Sequence, residues 1–261
     1  MKNSKIHRKS LVRAFLHTYL VDNLFNEQYF QNFGFAFSIE PILKDISRTT
    51  QEKIKNLLRH FEYFRTNYIF FPLILGATIK HELSHQLSLV KKTKFNMMSA
   101  VSALGDNLIY ASFQPLCILC AIIFPLFIVR HTHAPLYSIV ALAFIWLVYN
   151  TLMTIMRLRL FQLGIKEGIK AIFVITGWGL KKATMTIQRI TAYIAGASVV
   201  FLLIHEDPII VFNNQIQSIG YGMIVIIAIV LYFIMKMTKP IYMLYSLLIG
   251  SFIVYYFLQM V

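Results

Sequence analysis

The stretch GDNLIYASFQPLCILCAIIFPLFIV, residues 105–129, decides what kind of fold this chain can adopt. After Gly105, Asp106 and Asn107, no formal charge appears until Arg130. That run is long enough to cross ~30 Å of hydrocarbon as a helix rising ~1.5 Å per residue. An acid at the mouth of an apolar span is costly unless it has a partner or a task, so the stretch reads as a polar site in a membrane.

Composition supports that reading. The 261 residues are 57% hydrophobic and only 14% charged, with a mean hydropathy of +0.64, whereas soluble domains carry about 25% charged residues. The net charge of +14 invites comparison with nucleic-acid binders. Yet the basic residues lie beside apolar spans, as in cytoplasmic loops, so topology accounts for the charge and no nucleic-acid partner is expected. Cys117 and Cys120 have redox or zinc spacing but sit among apolar residues inside a span, which reads as packing. The basic-then-apolar N-terminus resembles a signal peptide, but its apolar part is short, is broken by His17 and Asp22, and lacks a cleavage site. It reads as retained and cytoplasmic.

Outward from the opening stretch, residues 10–64 carry apolar positions at helical spacing between charges, as in Ile54, Leu57, Leu58 and Phe61. Amphipathic helices on the membrane or against a bundle are therefore expected over 1–65, with Thr49 or Thr50 as an N-cap and Glu52 after it. Residues 68–79 are apolar but too short to span and contain Pro72 and Gly76, which fits a re-entrant or broken helix buried in protein. Residues 80–94 read as polar. The membrane domain, 66–261, is expected to hold about five transmembrane helices, near 107–129, 136–156, 190–204, 219–235 and 240–260. Residues 157–189 and 236–239 are basic links, which places the N-terminus inside and the C-terminus outside. Tyr242, Tyr245, Tyr255, Tyr256 and Phe257 read as interfacial anchors. The fold class is all-α and polytopic.

Several further motifs resemble one family. They are Gln31-Asn32-Phe33-Gly34-Phe35-Ala36-Phe37, Glu40-Pro41-Ile42-Leu43-Lys44, Arg59-His60-Phe61-Glu62-Tyr63-Phe64, Pro72-Leu73-Ile74-Leu75-Gly76-Ala77-Thr78 and Gly105-Asp106, with Asn150, Arg157, Gly164 and Gly168 along one helix. In this order they resemble the enzyme IID component of mannose/fructose/sorbose-type sugar phosphotransferase systems, nearly end to end. The resemblance implies a bacterial cytoplasmic-membrane subunit that pairs with a IIC subunit to conduct a hexose or amino sugar. It also implies a higher oligomer of the IIC–IID unit, with soluble IIA and IIB proteins carrying the phosphate on histidines. The IID chain itself is then non-catalytic, needs no cofactor, and uses none of its eight histidines for phosphate.

Departures accompany the matches. Gln28 and Tyr29 replace a Glu-Arg pair, Tyr110 and Gln114 replace a Trp and an Arg, residues 184–187 lack an acid, and 99–104 replaces a Gly-Pro-rich turn. A transport-inactive regulatory relative is therefore an alternative.

The candidate sugar-binding residues are Asp106, Asn107, Gln31, Asn32, Glu62 and Glu82. Asp106 and Asn107 could also cap a helix start, and Gln31, Asn32 and Glu62 could serve interhelical hydrogen bonds. The second alternative is a membrane zinc metallopeptidase using His81-Glu82-Leu83-Ser84-His85, because histidines at i and i+4 share a helix face and the glutamate could activate water. No third ligand is evident, so no metal is expected. His131 and His133 make at most a weak pair.

Overall fold

The computed structural model describes residues 7–132 and 135–205, and they are helical with no β-strand among them. The described residues up to Val199 form one compact unit. The expected spans at 219–235 and 240–260, the anchors near the C-terminus and His133 lie outside the described residues.

Among the described residues the chain opens with α1 (Arg8–His17), a 3₁₀ stretch (Thr18–Leu24) and α2 (Asn32–Ile46), which packs against both. The apolar face of α2, with Phe35, Ile39, Ile42 and Leu43, is fully buried. Pro41 lies inside α2 and has no N–H for the carbonyl of Phe37 one turn back. His17 fills that vacancy: its Nδ1 donates to the Phe37 carbonyl at 2.9 Å, and its ring stacks on the Phe37 ring at 4.0 Å. A proline that would otherwise strand an acceptor is thus absorbed by the neighbouring helix. In α3 (Thr50–Leu58) the expected cap is Thr49, whose hydroxyl accepts from the Glu52 N–H at 3.1 Å. The Glu52 carboxylate accepts in return from the Arg48 N–H at 2.8 Å, a reciprocal arrangement of capping-box type.

α4 (Phe71–Leu83) holds the centre. It has 13 residues, so it is ~20 Å long, and every residue from Phe71 to Ile79 is buried. Of the two readings for this stretch, re-entrant or broken, the helix itself is unbroken at Pro72. Pro72 sits in the first turn, where its missing N–H has no intrahelical partner to lose. Gly76 does not break the helix either; it serves the crossing with α7 (Pro135–Glu167). A Cβ on Gly76 would lie 2.5 Å from the Phe161 carbonyl oxygen, and one on Gly164 would fall on the carbonyl oxygen of Leu73. The two glycines therefore face each other's backbones and allow α4 and α7 to pack at backbone contact.

α4 ends in a tight turn, in which His85 has φ 54°, and α5 (Leu87–Leu108) follows. The polar stretch over 80–94 is mostly helix. α5 runs through a π-helical turn (Ile109–Phe113) into α6 (Gln114–Thr132), so Asp106 and Asn107 lie in the last turn of a helix rather than at the start of one. Of the two readings of this pair, the structure disfavours the helix-start cap. After α7, a short 3₁₀ turn leads to α8 (Ala171–Gly177) and α9 (Leu180–His205). Residues 157–189, expected as a basic link, are largely helical, and Arg157 is buried within α7. Two stretches among the described residues, Leu87–Phe124 and Leu136–Gly177, are long and apolar enough to cross a bilayer.

The glycine crossing sets a test. Gly164→Ala forces the α4 and α7 backbones apart and should lower stability by about 2–3 kcal/mol or more, at the upper end of overpacking costs. Gly196→Ala in α9, where none of the described residues lies within 4 Å of an added Cβ, should be neutral or slightly stabilising. Thermal unfolding of the two purified variants in one detergent checks this, and equal melting temperatures would refute the crossing.

Candidate functional site

Two polar clusters form around the two ends of α4. At its N-terminal end stands Asn67. Its Oδ1 accepts from the Ile69 N–H at 3.1 Å and its carbonyl accepts from Phe70 and Phe71 at 3.0 and 3.1 Å, which starts the helix. Its Nδ2 donates to Asp106 Oδ1 at 2.8 Å. The approach is possible because residue 105 is glycine: a Cβ there would collide with the Asn67 side chain and lie 3.0 Å from the Phe70 ring. Gly105 supplies the space and Asp106 the acceptor, which explains the pair physically.

Gln31, at the start of α2, is tied to the neighbouring strand of loop. Its Oε1 accepts from the Thr66 N–H at 2.9 Å and its Nε2 donates to Asp22 Oδ1 at 3.0 Å. Gln31 and Asp106 therefore meet adjacent residues, Thr66 and Asn67. Asp22, Asp106, Asn107 and Tyr110 are all exposed, and the Tyr110 hydroxyl lies within electrostatic reach of both carboxylates. Behind it the Tyr68 ring stands 6.2 Å away, and the Tyr68 and Tyr149 hydroxyls are hydrogen-bonded at 3.0 Å. Arg157 backs the group from α7. Its guanidinium donates to the Thr18 carbonyl and hydroxyl at 2.8 and 2.9 Å and lies 3.9 Å over the Tyr19 ring. Two exposed carboxylates within electrostatic reach of one tyrosine, backed by aromatic rings, are groups that can grip a hydroxyl-rich ligand.

Asp22 was not among the candidates from sequence, where it read only as an interruption of an apolar run. The signal was available, because an acid in such a run is expensive and asks for a function. The π-helical turn could not be read at all. It lets the Ser112 hydroxyl donate to the Asn107 carbonyl at 2.7 Å and leaves the Ala111 carbonyl to accept from Gln188 Nε2 at 3.2 Å. Such bulges place side chains off the regular helical register and recur at functional sites.

The other candidates are bound up in scaffolding. Asn32 Oδ1 accepts from Asn26 Nδ2, and its Nδ2 donates to the Phe61 carbonyl at 3.0 Å. Glu82, at the far end of α4, is 1% exposed and meets Arg59 at 2.9 Å and His60 Nε2 at 3.1 Å. Glu62 pairs with buried Lys94 at 3.3 Å and exposed Lys91 at 3.5 Å, and the Lys94 ammonium lies 4.3 Å over the Phe35 ring. Burial lowers the pKa of His60, with the Glu82 hydrogen bond pulling the other way. The ring is thus held neutral and donates its Nε2–H to the carboxylate, and its Nδ1 has no partner among the described residues.

A family model for the PTS system mannose/fructose/sorbose family IID component matches residues 5–260. The chain belongs to this family. The sorbose-specific EIID component of Klebsiella pneumoniae is 21% identical over 217 residues, covering 81% of this chain and 76% of its own. A solved structure described only as a membrane protein superposes with a TM-score of 0.68 at 17% identity, covering 96% of this chain and 97% of that one. A chain from the cryo-EM structure of the mannose transporter ManYZ with microcin E492 superposes at 0.54 with 16% identity, again covering 96% and 97%. At these identities the likeness shows the fold.

Membership of the IID family of mannose-type sugar transporters does not favour the metallopeptidase alternative, and neither does the local geometry. α4 stops at Leu83, so His85, at φ 54°, does not share a helix face with His81. His81 Nδ1 meets Gln86 Oε1 at 3.1 Å, and Glu82, the would-be base, is paired with Arg59 and His60. Among the described residues, no group of three or more His, Cys, Asp or Glu side chains could hold a metal ion.

The state of His60 gives this IID chain a pH signature. Because its pKa is lowered on folding, the unfolded chain takes up the proton first. The associated stability is full above about 6.5 and declines as pH falls through the folded-state value. Melting temperature should drop between pH 7.5 and pH 5.5, and His60→Gln should reduce the drop; an undiminished drop in that variant would refute the assignment. At neutral pH Glu82→Leu, which leaves Arg59 and His60 facing an apolar group, should cost about 3 kcal/mol, in line with breaking a buried pair.

Proposed function

We propose that this IID chain forms, with a IIC subunit, the translocation unit of a mannose-family phosphotransferase system in the bacterial cytoplasmic membrane, and that it offers the sugar the face formed by Asp106, Asn107, Tyr110 and Asp22. The observation that carries the reading is the clamp between Asn67 and Asp106 over Gly105, which holds an exposed carboxylate at fixed geometry beside the π-helical turn. Of the residues expected from sequence, Asp106 and Asn107 remain on the sugar path. Gln31 orients Asp22, and Asn32, Glu62 and Glu82 hold the loops and helices around it.

The mechanism is positional. Hydroxyls of a hexose or amino sugar are gripped by the two carboxylates and the amide, while Tyr110 offers a ring and a hydroxyl. Phosphate transfer belongs to the soluble IIA and IIB proteins. The N-terminus lies inside and the C-terminus outside, which puts the basic links on the cytoplasmic side. The IIC–IID unit assembles further into a higher oligomer.

The site and the retention of transport are tested together by uptake of labelled hexoses and amino sugars in a strain lacking its own mannose-family permease, with this chain and its IIC partner expressed together. Wild type should restore uptake. Asp106→Asn and Asp22→Asn should each reduce it about tenfold or more at low sugar, since a charge-assisted hydrogen bond contributes about 1.5–3 kcal/mol. Equal uptake in both variants sinks the site, and no uptake by a wild type that assembles with IIC favours the transport-inactive relative.

A further inference from the structure

A groove between α7 and the helix facing it plays no part in the site above. It encloses about 760 Å³. Along α7 its lining residues recur at intervals of three and four, so they form one stripe on one helix face, and the polarity of that stripe changes along its length. Ile155 and Met156 are apolar, whereas Arg159 and Lys166, two turns apart, carry the charge. Phe113 from the π-helical turn and the exposed indole of Trp178 complete the wall. From Leu152 to Lys166 the stripe covers roughly 20 Å, close to the depth of one leaflet with its headgroup.

The two cations are unspent. Arg159 has no hydrogen-bond or ion-pair partner among the described residues, and the Lys166 ammonium has only its chain neighbour Glu167, at 3.8 Å. A hydroxyl-rich ligand does not fit so apolar a wall. An apolar slot that ends in free cations beside an indole is complementary to a lipid with a negatively charged headgroup. The same end of α7 leads into Lys170, Lys181 and Lys182, which marks it as cytoplasmic by the positive-inside rule.

We propose that this groove binds one anionic phospholipid of the cytoplasmic leaflet, with its acyl chains along Ile155, Met156 and Phe113 and its phosphate between Arg159 and Lys166. The lipid wedges between α7 and the π-helical turn and so props the turn that carries Tyr110. The proposal rests on the membrane-embedded IID reading with its cytoplasmic basic links.

The test uses the IIC–IID complex purified in a mild detergent and titrated with phosphatidylglycerol or with phosphatidylcholine of the same chains, with bound lipid read by native mass spectrometry. Wild type should retain phosphatidylglycerol roughly tenfold more strongly, in keeping with two basic side chains at an anionic headgroup. The double variant Arg159→Gln/Lys166→Gln, altered only at exposed positions, should assemble normally and lose the preference. Ile155→Trp, which fills the slot, should lower retention of both lipids. Equal retention of the two lipids by wild type, or an unchanged preference in the double variant, overturns the proposal. So does cross-linking, in lipid-replete membranes, from Ile155→Cys to the IIC subunit or to residues 206–261, which would show that protein fills the groove. Failure of the wild-type chain to associate with IIC would instead count against the functional reading, which keeps the two failures distinct.

Discussion

The backbone contact between α4 and α7 at Gly76 and Gly164 is the constraint on which the rest of the molecule depends. Apolar side chains gain little from meeting one another inside a membrane, so helices there hold together by close packing and hydrogen bonds. Two facing glycines supply the packing, and their effect extends along both helices. α4 becomes a short post, buried from Phe71 to Ile79, with one polar cluster at each end, Asn67 with Asp106 at the start and Glu82 with Arg59 and His60 at the finish. The same crossing fixes the height of Arg157, two turns before Gly164 on α7, where it reaches Thr18 and Tyr19 of the N-terminal region.

The buried charges are handled in several ways, and the differences follow from what surrounds each. Glu82 has two cationic or donor partners, so its carboxylate is satisfied from both sides. Lys94 has one carboxylate at 3.3 Å and an aromatic face at 4.3 Å, an arrangement in which the ring quadrupole substitutes for a second anion. Arg157 has no carboxylate at hydrogen-bonding distance among the described residues and is held by a carbonyl, a hydroxyl and a tyrosine ring. Asp106 is different from all three. It is anchored by a single amide and remains exposed, and a fixed, partly unsatisfied carboxylate is what a ligand site requires.

Much of this was legible in the chain. Apolar runs and few charges gave a helical membrane protein, and the order of short motifs gave the IID family, which the family match then bore out. Thr49 as a cap was readable because capping is a local matter of side-chain reach. The broken-helix reading at Pro72 and the helix-start reading of Asp106 each stood beside another reading, for one shared reason. Proline, glycine, aspartate and asparagine each suit more than one position in a helix, and which position applies depends on where the neighbouring turns lie. Arg157 looked like part of a solvated basic link because its partners, Thr18 and Tyr19, are more than a hundred residues away in the chain.

Sequence by itself determined the class of environment, the helical character and the family, because hydrophobicity, periodicity and motif order are properties of the chain read in one dimension. Only the tertiary structure decided what each polar residue does. It turned the His-Glu-x-x-His pattern into a helix end with a paired glutamate, joined Gln31 to Asp22, and brought Asn67 to Asp106 across the space left at Gly105. Those outcomes depend on which distant backbones approach within hydrogen-bonding distance, and that is set by packing between helices rather than by the residues on either side.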